Sequence, residues 1–490
     1  MLNSPTTSPV TNAARLPALV QEIASEQKPS ILPEDLAAWT QDLGARLDRV
    51  QQHPEQGMGF IEEQVRQCTL ELQRKVVERA MQAKADAVDE CCSCCQTPLI
   101  EKKRRVPKTI RSYCGPARLF RTHGWCRKCE QWVFPADAAL GLFDDSTASP
   151  LVQEMCALLV SKMPCEQAEP VVSRVAGIQL SRCTMAREAQ RQGERAIQMR
   201  QEQSTAPLAV PPPSALAVAG LDQPPKPFTL VIQIDAWNIR ERDDWGKTQA
   251  KLKRGEKIER WHWVYTATCF RLDQRVRKGK RRAVIIDRSY VATRQGIEPM
   301  MKQLHREAMR RGLAQAEQVL AIADGAVWIW NAVEDRYSEA VQRLDLFHAN
   351  AYLWAVANQI HGANTPAARQ WVKPLLKQIK TDQVARVIHT LEDLKPTLTA
   401  ASAKVTDTTI EYYRNNEKRM KYVAGKKRGE PVGSGAIEST CRQMQCRMKR
   451  CGQFWTIQGD EPLLCLDVFW RNDYWELLFP HLSITSLANN

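Results

Sequence analysis

Three acidic residues occur where carboxylates could share a metal ion. Asp235 and Asp324 each follow an apolar, β-rich run, and Glu438 falls in the first turn of the helix predicted after Gly433-Ser434-Gly435. Close carboxylates repel one another by about 4 kcal/mol per pair at an effective dielectric of roughly 20, and a bound divalent cation offsets that cost. Oxygen ligands favour Mg²⁺ or Mn²⁺, and two such ions can activate a hydroxyl and stabilise a leaving oxygen in phosphoryl displacement. Singly, each acid is typical of a cap or turn; jointly, they predict a two-metal site.

Four cysteines predict a second metal site of a different kind. Two Cys-x-x-Cys knuckles, each presenting two thiolates to one tetrahedral ion, form a closed and therefore structural zinc site. Cys91 with Cys94 is a competing frame for the first knuckle, and the 96–125 segment between the knuckles is long enough for a β-hairpin. The predicted ligands are Cys92, Cys95, Cys126 and Cys129.

The elements that must position the three acids follow the order βββαβαβ. The predicted strands are 228–234, 263–270, 283–286, 318–323 and 343–347, and the predicted helices are 298–312 and 328–340. This is the RNase H-like order, three antiparallel strands followed by parallel additions with crossover helices. The first and fourth strands are then neighbours, which brings Asp235 beside Asp324. Tryptophans close to these segments are expected to pack in the core rather than stack on bases: Trp237, Trp328, Trp330 and Trp455.

The whole chain is predicted to be a multidomain α+β protein. Residues 165–195 fit either a helix-turn-helix or ordinary helical packing, and the helical stretch before Glu438 is either an insertion in the catalytic fold or a separate domain. The predicted parts are a disordered start (1–30), a helical N-terminal region (31–90), a zinc ribbon (91–149), a helical region (150–203), a Pro-rich linker (204–227), an RNase H-like α/β catalytic domain (228–350 and 431–476) with an all-α insertion (351–430), and a C-terminal tail (477–490).

The net charge of +14 is concentrated rather than spread evenly. Residues 251–282 hold 12 Lys/Arg against 3 Asp/Glu, and residues 412–450 hold 11 against 3. Such clustering indicates a polyanionic partner, and five basic residues on the hairpin (Lys102, Lys103, Arg104, Arg105 and Lys108) fit the same interpretation. The predicted DNA-binding residues are Arg281, Arg282, Arg442, Arg447, Lys449 and Arg450.

Composition excludes two broad classes of protein. The sequence holds no apolar run of membrane-spanning length, and its first 16 residues lack the apolar core of a signal peptide. Sixteen cysteines without a secretion signal indicate reduced thiols. We therefore expect a cytoplasmic protein without a membrane partner.

The acidic motifs resemble those of bacterial insertion-sequence transposases of the ISKra type, relatives of the Mutator-like transposases with a DDE triad. The resemblance covers roughly residues 90 to 475, including the zinc ribbon and residues 447–455. It is carried by Asp235, Asp324-Gly325-Ala326-x-Trp328-Ile329-Trp330, Asp345-x-x-His348-Ala349 and Gly433-Ser434-Gly435-Ala436-Ile437-Glu438-Ser439.

The resemblance implies a bacterial DNA transposase that binds the terminal inverted repeats of its element, cleaves them and joins the freed ends to target DNA. It implies that Asp235, Asp324 and Glu438 bind metal, and that Asp345 and His348 support the site or bind DNA near the cleavage point. It further implies a homodimer or larger assembly on DNA. Two alternatives stay open: an RNase H-like nuclease or resolvase without strand transfer, and a domesticated zinc-ribbon protein that only binds DNA.

The clustered basic charge predicts DNA binding that weakens steeply with salt. If the protein neutralises about eight phosphates, log K should fall against log salt with a slope of roughly −7, because each neutralised phosphate releases a counterion. Fluorescence anisotropy with a duplex at several NaCl concentrations measures the slope. A slope near zero would contradict a phosphate-binding surface.

Overall fold

The structure is a computed structural model that describes residues 33–142, 146–202, 227–241, 248–256, 261–276, 279, 283–451 and 453–480. The predictions for residues 1–30, for 204–226, for Arg281 and Arg282, and for the end of the C-terminal tail lie outside these ranges. The fold is mixed α and β, and it divides into two compact units, Met1–Met155 with Glu169–Ser181 and Cys156–Ala168 with Arg182–Asn490. Among the described residues, no helix is long and apolar enough to cross a membrane.

The first unit contains a three-stranded antiparallel sheet. Its elements are α1 (Pro33–Gln52), α2 (Met58–Asp86), β1 (Ile100–Ser112), β2 (Gly115–Cys126), β3 (Gln131–Val133) and α3 (Pro135–Ala139). The predicted hairpin is present, because β1 pairs with β2 up to Ser112 opposite Gly115. Gln82 on α2 bonds both the N–H and the carbonyl of Phe120, at 2.8 Å each, so this side chain joins the helix to the backbone of β2.

One basic residue of the hairpin does not face solvent as the charge pattern predicted. Lys108 is buried, and its ammonium donates to Asp137 at 3.0 Å. Arg121 donates to the same carboxylate. A buried charge requires such a partner, so Lys108 stabilises the fold and is not available to a phosphate.

Three helices follow the sheet: α4 (Pro150–Lys162), α5 (Cys165–Ala176) and α6 (Arg182–Glu202). Gly177 follows α5 with φ of +70°, a left-handed conformation that glycine adopts without strain and that commonly ends a helix. The predicted helices of residues 165–195 are therefore present, and their DNA-binding role stays a prediction.

The second unit is built on a five-stranded mixed sheet. The strands after the ribbon are β4 (Thr229–Arg240), β5 (Trp261–Arg271), β6 (Arg275–Val276), β7 (Val284–Ile285), β8 (Ser289–Thr293), β9 (Gln318–Ala323) and β10 (Val341–Leu344). The sheet order is β10-β9-β4-β5-β8; β5 is antiparallel to β4 and β8, whereas β4, β9 and β10 are parallel. β4 lies at the centre and is buried on both faces, which explains its nearly continuous apolar sequence.

Two of the predicted strands were wrong in position. Residues 283–286 do not form the third strand of the sheet; β7 pairs with β6 in a separate two-stranded sheet, and β8 takes the predicted place beside β5. The last strand ends at Leu344, so Asp345 is not within it but caps the next helix. The first error arises because short β-rich runs carry no information about which partner they pair with. The second is an error of boundary, since Asp345 caps the helix that begins at Leu346 and so ends the strand.

Helices pack on both sides of this sheet. The helices that follow β4 are α7 (Thr248–Lys253), α8 (Ile297–Arg310), α9 (Val327–Arg336), α10 (Leu346–His361), α11 (Pro366–Lys380), α12 (Val384–Leu394), α13 (Ala400–Asn416), α14 (Val423–Lys427), α15 (Gly435–Met448), α16 (Ile457–Arg471) and α17 (Trp475–Leu478). Helices α10 to α13 share one apolar cluster with the sheet, and the members of this cluster run from Ile232 to Tyr422. Three of the four expected core tryptophans, Trp237, Trp330 and Trp455, are buried.

A buried ion pair fixes the chain just before α15. Arg343 on β10 and Glu430 are both buried, and the guanidinium donates to the carboxylate at 2.6 Å and to the carbonyl of Pro431 at 3.1 Å. Arg428 also donates to Glu430, at 2.7 Å, but its side chain is 52% exposed. The pair therefore ties the segment that leads to Glu438 onto the edge strand of the sheet.

We expect Arg343→Ala to lower the free energy of unfolding by about 3 kcal/mol, because it leaves the Glu430 carboxylate buried without its main partner. Arg428→Ala removes an exposed partner of the same carboxylate and should cost about 1 kcal/mol or less. Urea denaturation of both variants measures the difference. If both variants lost the same free energy of unfolding, the buried Arg343 guanidinium would have no special structural role.

Candidate active site and metal centre

Strand register brings the acids together where the parallel pairing of β4, β9 and β10 ends, although β4 itself continues past the predicted end at Ile234 to Arg240. β4 pairs with β9 from Thr229 opposite Gln318 to Gln233 opposite Ile322, and continuing this register by two residues sets Asp235 opposite Asp324. β10 pairs with β9 so that Leu344 lies opposite Ala323, and the next residue, Asp345, is the neighbour of Asp324. The carboxyl ends of parallel strands are a common location for binding sites, because the loops that follow them open outward.

Asp324 lies close enough to Asp235 to affect the ionisation of Asp235. Burial raises the pKa of Asp235, and the negative charge of Asp324 raises it further. The N–H of Ala236, which donates to Asp235 at 2.7 Å, acts in the opposite direction. The thiol of Cys441, which forms a hydrogen bond with the carboxylate, also lowers the pKa of Asp235, and so does the nearby His348. Asp235 therefore lies between an acidic neighbour and three groups that favour its ionised form.

Glu438 lies on helix α15, near the same end of the sheet as Asp235 and Asp324. It lies in the first turn, where the helix dipole favours a carboxylate. Its Oε1 is 3.9 Å from Nε2 of His348, which lies in the first turn of α10. His348 therefore lies near both Glu438 and Asp235. Cys441, one turn after Glu438, contacts Asp235 and joins α15 to β4.

Asp345 is wholly buried and has a different role from the other acids. Its Oδ1 accepts hydrogen bonds from the N–H groups of Phe347 (2.5 Å) and His348 (2.9 Å), so it caps α10. Its Oδ2 accepts from the hydroxyl of Ser434 at 2.5 Å and from the N–H of Ser434. Both oxygens are thus engaged, and the carboxylate joins the start of α10 to the start of α15.

The glycine-serine-glycine turn fits closely against its surroundings. A Cβ on Gly433 would come within 2.7 Å of the Phe347 ring and 3.3 Å of Asp345, so only glycine fits there. Gln233 on β4 holds the turn from the other side: its amide donates to the carbonyl of Gly433 at 3.3 Å and accepts from Ile437 N–H at 3.0 Å. The backbone that carries Glu438 is therefore fixed to both β4 and α10.

The three predicted metal-binding acids are less tightly gathered than the four cysteines of the ribbon. Among the residues that the structure describes, the cysteines alone form a group of three or more His, Cys, Asp or Glu side chains close enough to hold an ion. Asp235 and Asp324 instead line a pocket of about 400 Å³ that opens at the end of the sheet.

The four predicted basic residues of α15 and its end differ in exposure. Arg442, Lys449 and Arg450 are exposed. Arg447 is buried: its Nε donates to the carbonyl of Val160 at 2.9 Å, and desolvation lowers its pKa to about 10. Arg447 therefore packs inside the protein, and we withdraw it from the predicted DNA contacts.

The structure brings together the four predicted zinc ligands in the first unit. The sulfurs of Cys92, Cys95, Cys126 and Cys129 all lie within 4.8 Å of one another. Cys92 is 3.9 Å from Cys129, and Cys95 is 3.4 Å from Cys126. A tetrahedral site with Zn–S bonds of about 2.3 Å has sulfurs about 3.8 Å apart, so the cluster could hold one zinc ion. The competing Cys91/Cys94 frame lies outside this cluster.

The first knuckle also favours thiolates. Backbone N–H groups of Cys95 and Cys94 lower the pKa of Cys92. The hydroxyl and the N–H of Thr97 lower the pKa of Cys95 to about 6. Because the thiolate is the form that binds metal, these donors prepare the knuckle for an ion. Leu99 and Val133 pack against the cluster, as expected of a structural site.

Sequence reasoning missed three residues of the acidic site. Gln233 and Cys441 carry no motif signal, since their roles depend on which elements pack together. Trp263, which lines the pocket beside the acids, was assigned only to a strand. The alternation of Trp261, Trp263 and Tyr265 along β5 is the one signal that could have marked a common aromatic face.

We expect purified protein to contain about one zinc per chain, and Cys92→Ser or Cys129→Ser to lose it, because each removes one of four thiolates. The ribbon should then become sensitive to proteolysis, while the second unit stays resistant. Cys91→Ser and Cys94→Ser are matched controls that should keep the zinc. Zinc analysis of reduced protein tests this, and loss of metal in the Cys91 variant would contradict the assigned frame.

Comparison with known proteins gives a distant similarity. No family model matches the chain, and no curated protein matches it either. Among solved structures, the chain is similar to a chain of the Drosophila P element transposase strand transfer complex, with 11% identity and a TM-score of 0.22, over 69% of this chain and 82% of that one.

Proposed function

We propose that this protein is a DNA transposase with an RNase H-like catalytic domain (228–350 and 431–476), of the DDE type that the ISKra resemblance implies. The observation that carries the proposal is the convergence of Asp235, Asp324 and Glu438 on one end of the mixed sheet. The sheet supports the fold assignment, because three antiparallel strands (β4, β5 and β8) are followed by two parallel ones (β9 and β10).

The acids fit a hard divalent cation such as Mg²⁺ or Mn²⁺, since all three offer carboxylate oxygen. Asp235, Asp324 and Glu438 would hold it. When bound, two such ions activate an attacking hydroxyl and stabilise the leaving oxygen of a phosphodiester. Around that centre His348 orients Glu438, and Asp345 positions both helices while contacting no substrate. Arg442, Lys449 and Arg450 extend from the same helix and bind the DNA backbone.

The two rival functions predict different results. A nuclease or resolvase would cut DNA but would not join pre-cut ends to a target. A domesticated protein that only binds DNA would need no acids at this end of the sheet. The mutual repulsion of these acids would then serve no function. The conjunction of acids, helix-borne cations and a thiolate cluster favours the transposase.

The test uses the DNA that flanks the gene as donor, with supercoiled plasmid as target. We expect Asp235→Ala, Asp324→Ala and Glu438→Ala to keep or tighten DNA binding, because each removes a negative charge near phosphates. Each should lose cleavage and strand transfer by several orders of magnitude, since the phosphoryl geometry then fails. Asp345→Asn should lose less, because it loosens the site without removing a ligand.

The matched control is Asp335→Ala, which removes an exposed acid from α9, the helix after Asp324. It should cleave and join ends like the wild type. Pre-cut donor ends separate the rivals, since only a transposase joins them to the plasmid. Near wild-type cleavage by Asp324→Ala or Glu438→Ala would end the proposal.

A further inference from the structure

The pocket at the end of the sheet has an aromatic wall beside its acidic rim. Asp235 and Asp324 lie on the rim, and Trp263, Tyr265 and Trp328 supply the wall. Its volume of about 400 Å³ falls in the usual range for small-ligand sites, roughly 300–1,000 Å³. The pocket is therefore large enough for one planar ring system beside the acids.

The three rings of the wall are not equivalent. Tyr265 and Trp328 pack edge to face, with ring centroids 5.4 Å apart, and both rest on the apolar core. Trp263 lies outside that core cluster, and 55% of its surface is exposed. Trp263 lines the pocket together with both acids, so its exposed indole offers a flat face to a ligand held there.

The surroundings favour a neutral aromatic ligand. Asp235 and Asp324 are the proposed ligands of the cation, so the aromatic side chains beside them are left for an uncharged, planar group. The flat faces of tryptophan and tyrosine stack with any base, because every base has a π face. A base within a duplex has both faces covered by its neighbours, so only an unpaired base can enter.

We propose that this pocket binds one unpaired nucleobase of the DNA substrate, with Trp263 as the stacking platform beside the acids. The inference rests on the proposed function, since it requires DNA at the acidic site. It gives the pocket a positioning role: a base held on Trp263 fixes the adjoining phosphodiester in front of Asp235 and Asp324.

The test compares two fluorescein-labelled 30-bp duplexes of the same sequence, taken from the DNA that flanks the gene, one blunt and one with a three-nucleotide 3′ overhang. Ca²⁺ replaces Mg²⁺ so that no DNA is cut. We expect the full-length wild type to bind the overhang duplex about 5- to 150-fold more tightly, the contribution of one stacked base. Trp263→Ala should abolish this ratio, and Trp263→Phe should restore part of it.

Trp261→Ala is the matched control. Trp261 precedes Trp263 by two residues on β5, is similarly exposed at 50%, and lies outside the residues that line the pocket. It packs near the Lys449 ammonium, so its loss can weaken both duplexes while leaving their ratio unchanged. A 2-aminopurine in the overhang gives a second readout, because stacking on Trp263 quenches its fluorescence.

The outcomes separate the two proposals. A ratio retained by Trp263→Ala, with quenching unchanged, would overturn the inference. A wild type that binds both duplexes equally would also overturn it, while leaving the transposase proposal intact. A wild type that binds neither duplex would overturn the transposase proposal and the pocket assignment together.

Discussion

The acidic site depends on one buried carboxylate, that of Asp345. A carboxylate without contact to water is stable only when hydrogen-bond donors replace its hydration. Here the N–H groups of Phe347 and His348, and the N–H and hydroxyl of Ser434, supply those donors. Because these donors belong to the starts of two different helices, satisfying one charge fixes the position of both. His348 and Glu438 are brought into contact as a consequence.

Part of this arrangement can be read from the chain, and the reason is geometric. Asp235 follows an apolar run within β4 and Asp324 follows β9, and parallel pairing of these two strands sets the two acids side by side. The spacing of four cysteines likewise predicts their cluster, because a tetrahedral ion accepts few ligand patterns. The start of α15 is predicted equally well, because a glycine-containing turn followed by a helical pattern indicates where the helix begins.

The rest depends on packing that no local pattern encodes. Arg447 has the same side chain as Arg442, yet it is buried because α15 turns that face toward Val160. The third strand was misplaced because residues 283–286 and 289–293 are both short and β-rich, and only their partners distinguish them. Trp263 looked like any strand residue until its exposure beside the acids was known.

Hydrogen bonding distinguishes the acid that positions two helices from the acids whose oxygens can bind a ligand. Asp345 is buried and uses both oxygens for donors from its own protein, so it has no capacity left for a ligand. Asp235 and Asp324 each accept one backbone N–H through Oδ1, from Ala236 and Ala326, and both line the pocket. These N–H groups partly offset the repulsion between the two carboxylates but do not remove it. A pair of acids held side by side in this way is stabilised further by a cation or by a hydrogen-bond donor from a ligand.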